Sequence, residues 1–85
     1  MLMIKMIHLT NNQILISQIE EVQSELGEPD CKLVRPVLVN QSSLDLESWM
    51  DHLTNQDTFM ISSDKILTLA EPKPTLLEKY QDLIK

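Results

Sequence analysis

The 85-residue chain is poor in the residues from which most sites are built. Its one cysteine excludes an internal disulfide and a cysteine-based zinc cluster. Its one glycine is too few for a phosphate-cradling loop. Of its two histidines, His8 and His52, neither is tied locally to a serine or to Cys31, as nucleophilic catalysis needs. One Trp, one Tyr and one Phe offer few platforms on which bases stack. Positive charge is scarce: 7 basic residues stand against 13 acidic ones, for a net charge of −6. Binding duplex DNA replaces released counterions with cations at many phosphates, and this composition argues against it. The carboxylates do not pair into a dyad, because Glu20 and Glu21 point to opposite faces of a strand. Glu25, Glu28 and Asp30 match the spacing of a calcium loop poorly.

No apolar run approaches the roughly 20 residues of a membrane span. The stretch from Met1 to Leu9 is broken by Lys5 and lacks the basic start and cleavage site of a signal peptide. The expectation is a non-enzymatic protein of a reducing cytoplasm, with no cofactor, metal, membrane or duplex DNA. Cys31 reads as a small core residue.

What the chain does have is short apolar runs of strand character over 1–71 and a helical period over 75–85, within one domain spanning 1–85. The first strand runs from Leu2 to Leu9. Met3, Ile7 and Leu9 lie on one face, and Leu2, Ile4 and Met6 on the other, which predicts burial on both sides. Asn11-Asn12 supplies a hairpin turn without glycine. In the second strand Ile14 and Ile16 oppose Ile19, so a bulge is expected near Ser17 and Gln18.

The third strand, Cys31 to Val39, places Leu33, Val37 and Val39 on one face and Val34 and Leu38 on the other. Pro36 within it predicts an edge or a bulge. The span 40–57 has both helical and alternating spacing and is expected to be extended with a loop. Strands over Thr58–Ser62 and Lys65–Glu71 follow, separated by a turn at Ser63-Asp64. Thr75 and Glu78 form a capping box. The stripe of Leu76, Leu77, Tyr80, Leu83 and Ile84 must then be buried against the sheet or a neighbouring chain. Five strands and a terminal helix predict a mainly β fold, a small bent barrel.

The last hairpin, Phe59-Met60-Ile61-Ser62-Ser63-Asp64-Lys65-Ile66-Leu67-Thr68-Leu69, resembles the second motif of Sm and Sm-like proteins: an apolar strand, an Arg-Gly-Asp/Asn turn, then Val/Ile-Leu-x-Ile. The opening hairpin, Ile7-His8-Leu9-Thr10-Asn11-Asn12-Gln13, is similar to the start of their first motif. The small Sm-like proteins of tailed phages, those of cyanobacteria included, are more similar still. They share a proline in an apolar third strand, as at Arg35-Pro36-Val37, a tryptophan before a polar loop, as at Trp49-Met50, and a terminal Leu-Leu-x-x-Tyr helix, as at Leu76 to Tyr80.

The resemblance implies an Sm-like, strongly bent five-stranded antiparallel barrel with a C-terminal helix. It implies a cyclic homo-oligomer in which the fourth and fifth strands of neighbouring copies pair, with Phe59, Met60, Ile61, Ile66, Leu67 and Leu69 at the contact. It also implies single-stranded RNA at the loops, held by Ser62, Asp64 and Lys65 with Lys32 or Arg35 nearby. Ser62-Ser63 stands here where the family has Arg-Gly, and Leu26 to Asp30 lacks the family's asparagine. Two readings therefore stay open. One is a ring that binds single-stranded RNA; the other is an assembly module of the same architecture, docking proteins through Trp49 and the helix stripe.

Overall fold

The structure is a computed structural model that describes residues 3–84. The expected placements of Leu2 on the first strand and of Lys85 in the helix lie outside the described residues. Strands β1 (Met3–Leu9), β2 (Ile14–Glu21) and β3 (Cys31–Val39) form an antiparallel meander. The far edge of β3 carries two short strands: β4 (Leu46–Ser48) on its C-terminal half and β5 (Thr58–Ile61) on its N-terminal half. A 3₁₀ turn at Ser63–Lys65 leads into β6 (Ile66–Ala70), which returns to pair with β1. Helix α1 (Pro74–Leu83) follows. The fold is thus mainly β and antiparallel, with one C-terminal helix. The sheet has six strands where five are expected, because the span 40–57, expected to be extended with a loop, forms a strand of its own at Leu46–Ser48, with turns, bends and irregular chain on either side.

The register requires the sheet to curl. β5 pairs with β3 and β6 with β1, so four strand spacings, about 19 Å, would separate β5 from β6 in a flat sheet. Ile61 is paired with Cys31 at one end of the meander, whereas Ile66 is paired with Leu9 at the other. Five fully extended residues reach at most about 18 Å, and a 3₁₀ turn much less, so the connection closes only if the margins bend toward each other. Among the described residues β5 and β6 do not pair with each other, and the sheet is open.

Two apolar clusters lie on opposite faces of this sheet. Ile7, Leu9, Leu15 and Leu33 form one, joined by Ile19, Leu38, Trp49, Ile61 and Ile66. Ile16 and Val39 form the other with Tyr80 of α1, joined by Ile4, Ile14, Val37, Leu46 and Ile84. The two-sided burial expected of β1 is therefore present, with Ile7 and Leu9 inside and Ile4 under the helix. The helix stripe is buried against the sheet: Leu76 and Tyr80 are both buried, while Leu83 stays 58% exposed. The Asn11-Asn12 turn also forms as expected, with Asn12 at φ 70° and its amide bonded to the Leu9 carbonyl at 3.0 Å.

Two local expectations are corrected. β3 does bulge at Pro36, but the extra residue changes which side chains share a face. Ile16 pairs with Val37 and Gln18 with Val34, so Ser17 alone opposes both Arg35 and Pro36. Arg35 adopts a left-handed conformation, φ 55°, as the first residue of a G1-type bulge does. Period-two alternation restarts after it. Leu33 and Leu38 consequently face the inner cluster, and Val37 and Val39 face the helix. The bulge expected near Ser17 is thus carried by the partner strand. At the helix, the capping box does not form. Lys73 is the N-cap and makes no side-chain cap bond, and Pro74 takes the first helical position, which its fixed φ suits and where its missing N–H costs nothing.

Candidate functional site

The expected nucleic-acid residues divide between two places. Ser62, Asp64 and Lys65 come together at the turn between β5 and β6. The Ser62 hydroxyl donates to Asp64 Oδ1 at 2.7 Å, and the Lys65 amide donates to the Ser62 carbonyl at 3.0 Å. The turn is anchored on both sides: Thr10 N–H donates to the Lys65 carbonyl at 2.9 Å, and Asp30 takes two bonds from Ser63. Those two bonds, from the Ser63 amide and hydroxyl, are each 2.7 Å long. The sequence by itself does not point to this role of Asp30. Its partner lies 33 residues away, and no local spacing announces the contact.

The chemistry of this end is acidic. Hydrogen bonds from Ser63 hold the Asp30 carboxyl below its ordinary range, and the Ser62 hydroxyl does the same for Asp64. An open depression of about 620 Å³ runs between the turn and the β2–β3 loop. Glu25, Glu28, Asp30 and Asp64 line it, with Leu26 fully exposed at the loop tip. Such a surface repels phosphates.

Arg35 is elsewhere and is engaged. Its guanidinium donates to the Ile84 carbonyl at 2.6 Å and lies 4.0 Å from the Asp57 carboxylate. It lines a groove of about 380 Å³ with Pro36, Val37, Phe59 and Leu83, among which none of the loop-end candidates appears. Lys32 sits on β3 opposite Met60, with Glu20 across on β2. Cys31 is buried, and burial pushes its thiol pKa up, a poor setting for a nucleophile. His8 lies within β1, and His52 is exposed in a turn.

The expected contact residues are better grouped. Ile61 and Ile66 pack on the inner cluster, and Phe59 meets Trp49 edge-on with ring centroids 5.5 Å apart. Trp49 also packs on the inner cluster, and its indole N–H donates to Gln13 Oε1 at 3.3 Å. Met60, Leu67 and Leu69 remain exposed by 48%, 59% and 50%. Beside Leu67 and Leu69 opens a mostly apolar depression of about 600 Å³, floored by Met3, Ile19, Cys31 and Ile66. Among the described residues no strand pairs with the outer edge of either β5 or β6.

Among the described residues no three or more His, Cys, Asp or Glu side chains are placed to hold a metal ion. No helix there is long and apolar enough to cross a membrane. No curated protein matches the chain. A family model matches residues 2–85, and the chain belongs to that family, DUF6561, a family of unknown function.

Proposed function

We propose that this chain is a non-enzymatic Sm-like subunit that closes edge to edge into a cyclic homo-oligomer and serves in the cytoplasm as an assembly platform for other proteins. The observation that carries the reading is the pair of unpaired margins, β5 and β6, each bearing exposed apolar side chains. An open β edge templates pairing with another chain. The margins are different strands, so the contact is heterologous, and repeating it around an axis satisfies every edge. Burying the exposed portions of Met60, Leu67 and Leu69 contributes roughly 1 kcal/mol each, and strand pairing adds direction. The strand order and curl support the same reading, because the family resemblance implies them: β6 returns to β1 while β5 flanks β3, around one inner cluster. A barrel completed in this way is our inference.

The platform reading is preferred to RNA binding because four carboxylates line the loop end, where the family resemblance would place RNA. Trp49 and the helix stripe pack on the chain's own sheet, so docking of other proteins falls to the remaining outer surfaces. The test uses sedimentation of the wild-type chain and of Leu67→Lys and Met60→Lys variants, with circular dichroism to establish that each is folded. The wild type should sediment as one oligomer and the variants as folded subunits of 9.8 kDa. A wild-type monomer overturns the proposal, as do variants that keep the assembly. Filter binding of oligo-U and oligo-A at low and physiological salt separates the two readings. The platform reading expects no retention, and retention that falls with salt would restore RNA.

A further inference from the structure

We infer that α1 is a latched cover, a unit that opens and recloses on the sheet without dismantling the inner cluster, and that the Tyr80 hydroxyl with the Arg35 guanidinium is its latch. The two apolar clusters have no member in common. Ile7, Leu9, Leu15 and Leu33 pack on one face, and Tyr80 reaches Ile16 and Val39 on the other. Removing α1 therefore exposes one face and leaves the other packed. The helix itself spans only Pro74–Leu83, lacks a side-chain N-cap, and buries only Leu76 and Tyr80. A helix this short is marginal in water and holds its shape through docking.

The docking is polar at its centre. The Tyr80 hydroxyl, fully buried, donates to the Arg35 carbonyl at 2.8 Å and accepts the Gln18 amide at 3.2 Å. Both backbone groups flank the bulge, where the ladder between β2 and β3 changes register. The guanidinium of the same Arg35 holds the Ile84 carbonyl at the helix end. The bulge thus presents the Val34 and Arg35 carbonyls, the Gln18 amide and one cation, and α1 meets them with one hydroxyl and one carbonyl. Opening hands all of these groups to water, which can replace each bond, whereas the inner cluster has no such substitute. Subglobal openings of this kind follow contiguous structural units.

Native-state hydrogen exchange of the full chain in low urea tests the inference. The Glu78 to Asp82 amides should exchange as one set, at least tenfold faster than Ile7 and Leu15, with a much weaker response to urea. The Gln18 amide should exchange with the helix set, although it lies in the middle of β2. Tyr80→Phe should speed the helix set about tenfold. Should that variant fail to fold, Arg35→Gln should speed the helix set while Ile7 and Leu15 remain the slowest. The inference is overturned if the helix amides share the protection and urea response of Ile7 and Leu15, or if Gln18 exchanges with those core amides.

Discussion

The Tyr80 hydroxyl donates a 2.8 Å hydrogen bond to the carbonyl of Arg35, the left-handed residue of the β3 bulge. A bulge breaks the ladder and leaves backbone groups to be satisfied by something else. Here a side chain 45 residues away does it. Burial also raises the Tyr80 pKa, so the phenol keeps its proton across the ordinary pH range. Tyr80→Phe keeps the ring and strands the carbonyl and the Gln18 amide. It should cost about 1–3 kcal/mol, read from the urea midpoint at unchanged slope.

Arg35 is held at φ 55°, where side chains are disfavoured and β-branched ones most of all. Arg35→Gly and Arg35→Val both lose the bond to the Ile84 carbonyl, but only valine is strained. The valine variant should be less stable than the glycine variant by about 1–2 kcal/mol in paired urea titrations. Equal stabilities would mean that the bulge relaxes freely.

Leu44 is left-handed as well, φ 62°, and is half exposed in the β3–β4 connection. Its strain is roughly 1–2 kcal/mol, against about 0.5–1 kcal/mol of added chain entropy for glycine. The half-buried leucine side chain is also lost, worth roughly 1 kcal/mol, so Leu44→Gly should stay within about 0.5 kcal/mol of the wild type, visible as a nearly unchanged melting temperature. The Leu44 carbonyl should keep its bond to Lys79 Nζ, because glycine retains the acceptor.

The loop end should loosen in acid. Ser63 lowers the folded-state pKa of Asp30, and Ser62 lowers that of Asp64. Folding therefore gains from both carboxylates above their unfolded pKa, about 3.9, and loses that gain as pH falls through the lower folded values. A carbon-detected NMR titration should place both carboxyls below the ordinary aspartate range. Ser63→Ala should return Asp30 toward it and leave Asp64 low.

The legible parts of the fold were those set by local chemistry. Asn11-Asn12 announced a glycine-free turn, the Leu76–Tyr80–Ile84 spacing announced a helix with one buried face, and Pro36 announced a bulge in β3. What the bulge does to its neighbours was not legible. One extra residue at Arg35 sends Val37 to the face opposite Leu33, and alternation counted straight through it fails. The capping box misled because Thr75 and Glu78 have the right spacing, whereas Pro74 fits the first helical position better. At the loop end, Ser62, Asp64 and Lys65 were found as neighbours in the chain. Asp30 is not, because only the pairing of β3 with β5, Cys31 against Ile61, sets it beside Ser63. The charge of Arg35 suggests a place beside them, whereas its guanidinium bonds the Ile84 carbonyl at the helix end.

The mass of the undenatured protein tests the central claim most directly. Native mass spectrometry of the purified chain should give one dominant species at a whole multiple of 9.8 kDa, with no ladder of open-ended sizes. A folded 9.8 kDa species that persists as concentration rises would contradict the account, because β5 and β6 would then be edges that need no partner.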